Sequence, residues 1–71
     1  MSEAKIEAVY EFIKAYTAET GQSPSQKQIV KGCGMSQETV LDALSFLEAR
    51  GKIERVKGTH RSIRIVSNVP H

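Results

Sequence analysis

The chain has 71 residues, of which 39% are hydrophobic and 25% charged, and its net charge is +2. This length allows one domain with a small core, and the single cysteine, Cys33, excludes an intramolecular disulfide and a cysteine-rich zinc site. The apolar runs are too short to span a membrane and the N-terminus lacks the pattern of a secretion signal, so we expect a cytoplasmic protein.

The charges are distributed unevenly along the chain. Residues 1–49 carry four lysines against seven acidic residues, a balance of −3. Residues 50–71 carry six lysines and arginines against Glu54 alone, a balance of +5. A basic segment of this kind is typical of a nucleic-acid-binding surface, although a solvated basic surface without a partner is the alternative explanation.

Apolar residues at helical spacing predict three helices. The first runs from about Glu3 to Glu19, and Gly21 and Ser23-Pro24 end it. Its apolar stripe consists of Ile6, Val9, Tyr10, Ile13 and Tyr16, with Phe12 on the flank. A capping-box pattern of Ser25 and Gln28 begins a short second helix, which is expected to bury Ile29, Val30 and Cys33. It ends at Gly32-Cys33-Gly34, where glycine can adopt the positive φ of a tight turn.

Ser36 is the predicted N-cap of the third helix, which Gly51 ends after Arg50. Its predicted core face consists of Val40, Ala43, Leu44, Phe46 and Leu47. After Gly51 the period changes, and residues 53–57 and 62–66 predict two short strands joined by a turn at 58–61. An isolated hairpin is only marginally stable, so it is expected to pack on the helices.

This order of elements predicts an α+β fold, mainly α: a winged helix-turn-helix of three helices followed by a two-stranded β-hairpin wing. The domain is expected to span residues 1–66, with a flexible tail at residues 67–71. In such a fold the third helix lies across the second and fits the major groove of DNA. Its outward residues, the predicted base readers, are Gln37, Glu38, Leu41, Asp42 and Ser45.

Contacts to the DNA backbone are predicted from two other places. Ser36 and Thr39, together with the first amides of the third helix, are expected to hold a phosphate. The hairpin is expected to contact the backbone or the minor groove through Arg55, Lys57, His60, Arg61 and Arg64. Because Glu38 and Asp42 approach phosphates at a cost, the cations that bind DNA have to come from this hairpin.

The chain carries no pattern typical of an enzyme. There is no carboxylate pair, phosphate loop or Ser/His/Asp arrangement, so we expect neither catalysis nor a cofactor. His60 has no second ligand at a suitable spacing and His71 lies in the tail, so no metal site is predicted. Cys33 is expected to pack in the core rather than to act as a nucleophile.

Two functions remain open at this point. The first is sequence-preferring binding of double-stranded DNA, most simply as a transcriptional regulator. The second is a winged-helix module that binds a basic protein partner through the acidic outer face of the third helix. The basic hairpin favours DNA. We expect a monomer in free solution, which can pair on adjacent DNA half-sites.

A series of core, turn and wing residues runs from about residue 4 to residue 66. It comprises Thr20-Gly21, Pro24-Ser25, Ile29, Ser36, Leu44, Leu47, Arg50-Gly51, Ile53-Glu54, Gly58 and Arg61-Ser62-Ile63-Arg64-Ile65. With these residues the chain resembles the N-terminal DNA-binding domain of LexA-type repressors, which control the bacterial DNA-damage response. Most of the positions are core or turn residues that other winged helices, including MarR-like regulators, share.

The resemblance implies that the start of the third helix reads bases, through Ser36, Glu38, Thr39, Leu41 and Asp42. Ser36 matches the family residue and Asp42 matches it in being acidic, whereas Glu38 and Leu41 depart from the family pattern. We therefore expect a different target sequence. LexA-type repressors continue into a self-cleaving Ser/Lys peptidase domain that also dimerises them. This chain ends at His71, and we expect it to have no self-cleavage of its own.

Overall fold

The computed structural model describes residues 2–55 and 63–66. Its elements are α1 (Glu3–Thr20), α2 (Gln26–Cys33), α3 (Gln37–Ala49), β1 (Ile53–Arg55) and β2 (Ile63–Ile65). The two strands pair antiparallel in one sheet. The predicted α+β, mainly helical winged helix-turn-helix is therefore confirmed. The predicted hairpin turn at residues 58–61 and the predicted tail at residues 67–71 lie outside the described residues.

Short-range hydrogen bonds begin α2 and α3 where the sequence predicts them. Ser25 Oγ accepts from the Gln28 amide at 3.2 Å, and the Ser25 amide donates to Gln28 Oε1 at 2.8 Å. This is the complete capping box, which satisfies two amides that the first turn of α2 leaves without a partner. Ser36 begins α3 in a similar way, because its Oγ accepts from the Thr39 amide at 3.2 Å.

The end of α3 leads directly into the hairpin. Gly51 has a φ of +73°, in the left-handed region that favours glycine. The Gly51 amide donates to the Glu48 carbonyl at 3.0 Å, and the Lys52 amide donates to the Leu47 carbonyl at 2.9 Å. This pair of bonds is a Schellman motif, which satisfies the last carbonyls of the helix and reverses the chain. β1 therefore begins at Ile53, directly after Lys52, and packs against α3.

The core is a single cluster to which all five elements contribute. Its buried members are Ile6, Val9, Ile13, Ile29, Val40, Ala43, Leu44, Leu47, Ile53 and Ile63. Val30, Cys33 and Met35 are half-buried against this cluster. Because Ile53 and Ile63 are almost completely buried, the hairpin packs on the helices as predicted.

Phe46 does not belong to the core face of α3, contrary to the sequence-based expectation. Its side chain is 44% exposed, and the guanidinium of Arg50 lies over its ring, 5.9 Å from the centroid. At about 100° per residue, the four buried residues of α3 span an arc of about 100°, and Phe46 lies about 60° beyond Ala43. The other elements cover an arc of α3 that is narrower than the arc occupied by its apolar residues, so Phe46 stays outside the core.

Gly32 has a different role from the one predicted. The positive φ of the turn belongs to Gly34, at +66°, whereas Gly32 lies inside α2. A Cβ built on Gly32 would overlap Cε2 and Cζ of the Phe12 ring. Glycine is therefore needed at this position because α1 and α2 approach each other closely there, with the aromatic ring between them.

We predict that Gly32→Ala lowers the free energy of unfolding by about 1 kcal/mol. The overlap with Phe12 costs about 1–3 kcal/mol, and the higher helix propensity of alanine offsets about 1 kcal/mol of that. In a Phe12→Leu background the same substitution should be neutral or stabilising, because the ring is gone. Denaturant titrations of the four proteins measure the difference.

Gly34→Ala is the control for this cycle. It should cost about 1–2 kcal/mol with either residue at position 12, because its cost comes from the left-handed backbone. No atom lies within 4 Å of a Cβ built there. If Phe12→Leu rescued both alanine variants equally, or neither, the contact between Gly32 and Phe12 would not be the cause.

One ion pair joins the start of α1 to the end of α3. Arg50 donates from Nη1 and Nη2 to the two carboxylate oxygens of Glu3, at 3.0 and 2.5 Å. These hydrogen bonds are the largest effect and hold the pKa of the Glu3 carboxyl below its ordinary value; desolvation opposes them, and the charge of the guanidinium adds a smaller lowering effect. Both side chains remain largely exposed, so the pair adds only modest stability to a fold that the core determines. We call this ion pair the clamp between α1 and α3.

We predict that this clamp is lost in acid. A carboxyl whose folded pKa is lowered contributes stability above its unfolded pKa, ordinarily 4.5, and loses that contribution as the pH falls through the folded pKa. Wild type should therefore melt at a higher temperature than Glu3→Gln at neutral pH, and the gap should close in acid. Arg50→Gln should remove the same pH-dependent increment. A gap that stays constant from neutral pH to acid would contradict this assignment.

Candidate nucleic-acid interface

The connection between α2 and α3 orients α3 on the domain. Only residues 34–36 separate the two helices, and Gly34 supplies the left-handed conformation that the tight turn needs. α3 packs against both α1 and α2 through Val40, Ala43, Leu44 and Leu47. Since this arc is buried, the opposite arc of α3 points away from the domain.

Four of the five predicted base readers are exposed, and we call them the outer face of α3: Gln37, Glu38, Asp42 and Ser45. Glu38, Asp42 and Ser45 lie on that opposite arc, whereas Gln37, the first residue of the helix, lies beside the buried arc. Leu41 differs from expectation, because it is half-buried at the edge of this face rather than fully exposed at its centre. The physical reason is its angular position on the helix, between Ser45 and the buried Leu44.

Ser36 and Thr39 lie at the N-terminus of α3 and are hydrogen-bonded to each other. In addition to its bond from the Thr39 amide, Ser36 Oγ donates to Thr39 Oγ1 at 2.8 Å. Ser36 is exposed and Thr39 is half-buried. Their first function is thus to cap the helix, which fixes where the remaining first-turn amides point. Phosphate binding at this helix end stays a prediction.

The two described arginines of the hairpin lie on opposite faces of it. Arg55 shares the inner face with Ile53 and Ile63, whereas Arg64 lies opposite Glu54 on the outer face. Arg55 therefore reaches towards α3, and Arg64 does not. The other predicted contacts of the hairpin, Lys57, His60 and Arg61, lie outside the described residues.

Each of these arginines has a glutamate partner that the sequence analysis did not identify. Arg55 Nη2 lies 3.4 Å from Glu48 Oε1, and Arg64 Nη2 lies 3.2 Å from Glu54 Oε2. The second pair follows from strand register, and the first from the approach of α3 to β1. The only sequence feature that could have placed Arg55 on the inner face was the alternation of side chains between the two faces of a strand along residues 53–55.

A groove of about 400 Å³ runs beside the Arg55–Glu48 pair. Its lining consists of Glu48, Gly51, Ile53, Glu54, Arg55 and Val66. It lies between the end of α3 and the base of the hairpin. The Arg55 guanidinium can therefore be approached from solvent on the side where α3 and the hairpin meet.

Apart from these surfaces, the described residues offer little that could react or bind a metal. Burial raises the pKa of the Cys33 thiol, which disfavours the nucleophilic thiolate, and its Sγ lies 4.0 Å from the Ala8 carbonyl oxygen. Within residues 2–55 and 63–66, no group of three metal-ligating side chains comes together. No helix in this part of the chain is long and apolar enough to cross a bilayer.

Comparison with known proteins identifies the family. The family model described as the LexA DNA binding domain matches residues 3–62. The LexA repressor of Clostridium novyi is 42% identical over 66 residues, which cover 92% of this chain and 32% of that protein. The LexA repressor of Listeria welshimeri is 40% identical over 60 residues, covering 83% and 29%. That of Glaesserella parasuis is 33% identical over 64 residues, covering 89% and 31%.

Each of the three relatives matches more than four fifths of this chain. The chain spans about a third of the length of the relatives that it matches. The family match includes α1, α2, α3 and the start of the hairpin, the elements that build the interface described above. The chain therefore belongs to the LexA DNA-binding domain family.

Proposed function

We propose that this chain binds double-stranded DNA in a sequence-dependent manner, as the DNA-binding part of a transcriptional repressor. One observation carries the proposal: α3 is held by its buried arc while its polar outer face is exposed, and the segment that follows α3 is basic in sequence. A helix held in this way fits the major groove. The relatives are named as repressors, which supports repression as the function. The matching family model describes a DNA-binding domain rather than a catalytic one.

In the proposed complex the outer face of α3 reads bases. Glu38 and Asp42 are acceptors suited to the N4 amino group of cytosine, Gln37 is suited to adenine, and Ser45 fits either. Leu41, at the edge of the face, is suited to the methyl group of thymine. The Ser36 and Thr39 end of α3 and the basic hairpin hold the backbone. The carboxylates then act as specificity elements, because a wrong base leaves them desolvated without a donor.

A protein partner for the outer face is the second candidate. Glu38 and Asp42 are both exposed, and no cation of the described part of the chain lies within salt-bridge distance of them. A basic protein surface would find two unpaired carboxylates there. The +5 balance of residues 50–71 favours DNA, because a basic protein partner leaves that charge unused.

We predict that the domain binds duplex DNA with strongly salt-dependent affinity. Selection from a random duplex library supplies the preferred site, and titrations at several salt concentrations give the slope. About four to six phosphate contacts correspond to a log–log slope of roughly −4 to −5. Absence of binding at low salt would overturn the DNA proposal. A flat salt response would mean that the basic hairpin does not contact the DNA backbone.

We predict different losses from the outer face and from the hairpin. Ser45→Ala should cost about 1–3 kcal/mol on the selected site and little on a scrambled duplex, because a base contact is lost. Arg64→Ala should weaken binding to both duplexes about equally and reduce the salt slope by about one. Both side chains are exposed, so the free energy of unfolding should change by less than about 0.5 kcal/mol.

Leu44→Ala serves as the control for folding in this series. Leu44 is completely buried, so its loss should cost about 2–5 kcal/mol of stability and affect both duplexes through unfolding alone. Normal DNA binding by the Ser45 and Arg64 variants, together with loss of a protein partner in Glu38→Gln or Asp42→Asn, would favour the second candidate.

A further inference from the structure

Arg55 is the described hairpin arginine closest to the outer face of α3, and Glu48 already holds it. Glu48 lies three residues after Ser45, so the two side chains project from neighbouring positions along one side of α3. Arg55 reaches that side from the inner face of the hairpin. When α3 occupies a DNA groove, the phosphates at the edge of that groove lie beside such flanking residues.

The Arg55–Glu48 contact is weak compared with the other α3 ion pair. It has a single contact at 3.4 Å, whereas Arg50 and Glu3 make two hydrogen bonds at 3.0 and 2.5 Å. Arg–carboxylate pairs gain most from the two-bond geometry, which the Arg55–Glu48 pair lacks. On this geometry Arg55 can exchange its partner at a smaller cost than Arg50 can.

Arg55 is also accessible to a new partner. Its side chain is 29% exposed and that of Glu48 is 43% exposed. Both residues line the groove between α3 and the hairpin. A phosphate oxygen entering this groove would meet the guanidinium on the side that Glu48 now occupies, and a phosphate and a carboxylate offer Arg the same kind of acceptor.

We propose that, in the free domain, Glu48 occupies the place beside Arg55 that a DNA phosphate takes in the complex. This inference rests on the proposed DNA-binding function and adds an affinity-setting role for Glu48. DNA must displace the carboxylate before Arg55 can bind, so Glu48 lowers affinity. Because the exchanged ligand is a backbone phosphate, which is the same in every sequence, Glu48 leaves base discrimination unchanged.

The exchange also affects the salt dependence of binding. An arginine that is free before binding releases a counterion from the phosphate that it neutralises. When DNA displaces Glu48 from Arg55, the freed carboxylate attracts a cation from solution. This uptake cancels part of the counterion release. Removing the negative charge of Glu48 should therefore tighten binding and make the log–log slope steeper by up to about one.

The experiment is a double-mutant cycle on DNA affinity with Glu48→Gln and Arg55→Ala. Glutamine keeps the length and shape of the side chain and removes its charge. Glu11→Gln is the matched control: it removes the same charge from another exposed ion pair, with Lys14 at 3.5 Å on α1. Wild type and all variants are titrated with selected and scrambled duplexes at several salt concentrations. Glu48→Ala is the second variant if glutamine impairs folding in a thermal melt.

Glu48→Gln is expected to bind both duplexes about three-fold more tightly than Glu11→Gln, a change within the range of one exposed ion pair. In the Arg55→Ala background the advantage of Glu48→Gln over Glu11→Gln should disappear, because no guanidinium is left to release. The ratio of affinities for the selected and scrambled duplexes should equal that of wild type.

Three results would overturn the inference. If Glu48→Gln binds no better than Glu11→Gln, Glu48 does not compete with DNA. If its advantage persists in the Arg55→Ala background, Glu48 repels the backbone directly rather than through Arg55. If the gain appears on the selected duplex alone, Glu48 acts on a base. Failure of wild type to bind any duplex at low salt would overturn the proposed function itself, which the other results leave intact.

Discussion

The structure depends on the burial of one arc of α3. Val40, Ala43, Leu44 and Leu47 pack against α1, α2 and the hairpin, and these contacts are the centre of the single core. The described residues form this one core, so it alone holds the surface that we propose to read DNA. The same contacts that stabilise the fold therefore also orient the outer face of α3.

The turn at Gly51 extends this constraint to the hairpin. Only residues 50–52 separate α3 from β1, and the Schellman bonds fix their course, so the first strand is placed by the end of the helix. Burial of Ile53 then sets which face of the hairpin turns inward, and strand alternation puts Arg55 on that face beside Glu48. The position of Arg55, which we propose to meet a DNA phosphate, thus follows from a helix cap and one buried isoleucine.

Opposite charges are arranged so that several cations have partners within the domain. Arg50, Arg55 and Arg64 each pair with a glutamate among the described residues. The pairs differ in geometry: the Arg50 pair has two short bonds and links distant parts of the fold, whereas those of Arg55 and Arg64 have single, longer contacts. Formal net charge alone does not tell which cations are free to meet DNA.

The sequence by itself determined the order of the elements, the helix starts at Ser25 and Ser36, and the turn at Gly51. These features depend on residues three or four positions apart, whose interactions survive in any context. Tertiary structure alone decided that Phe46 is exposed, that the ring of Phe12 packs against Gly32, and that Arg55 pairs with Glu48 of α3. It also paired Glu3 with Arg50, 47 residues away. Such contacts depend on how distant segments approach each other, which periodicity and spacing do not encode.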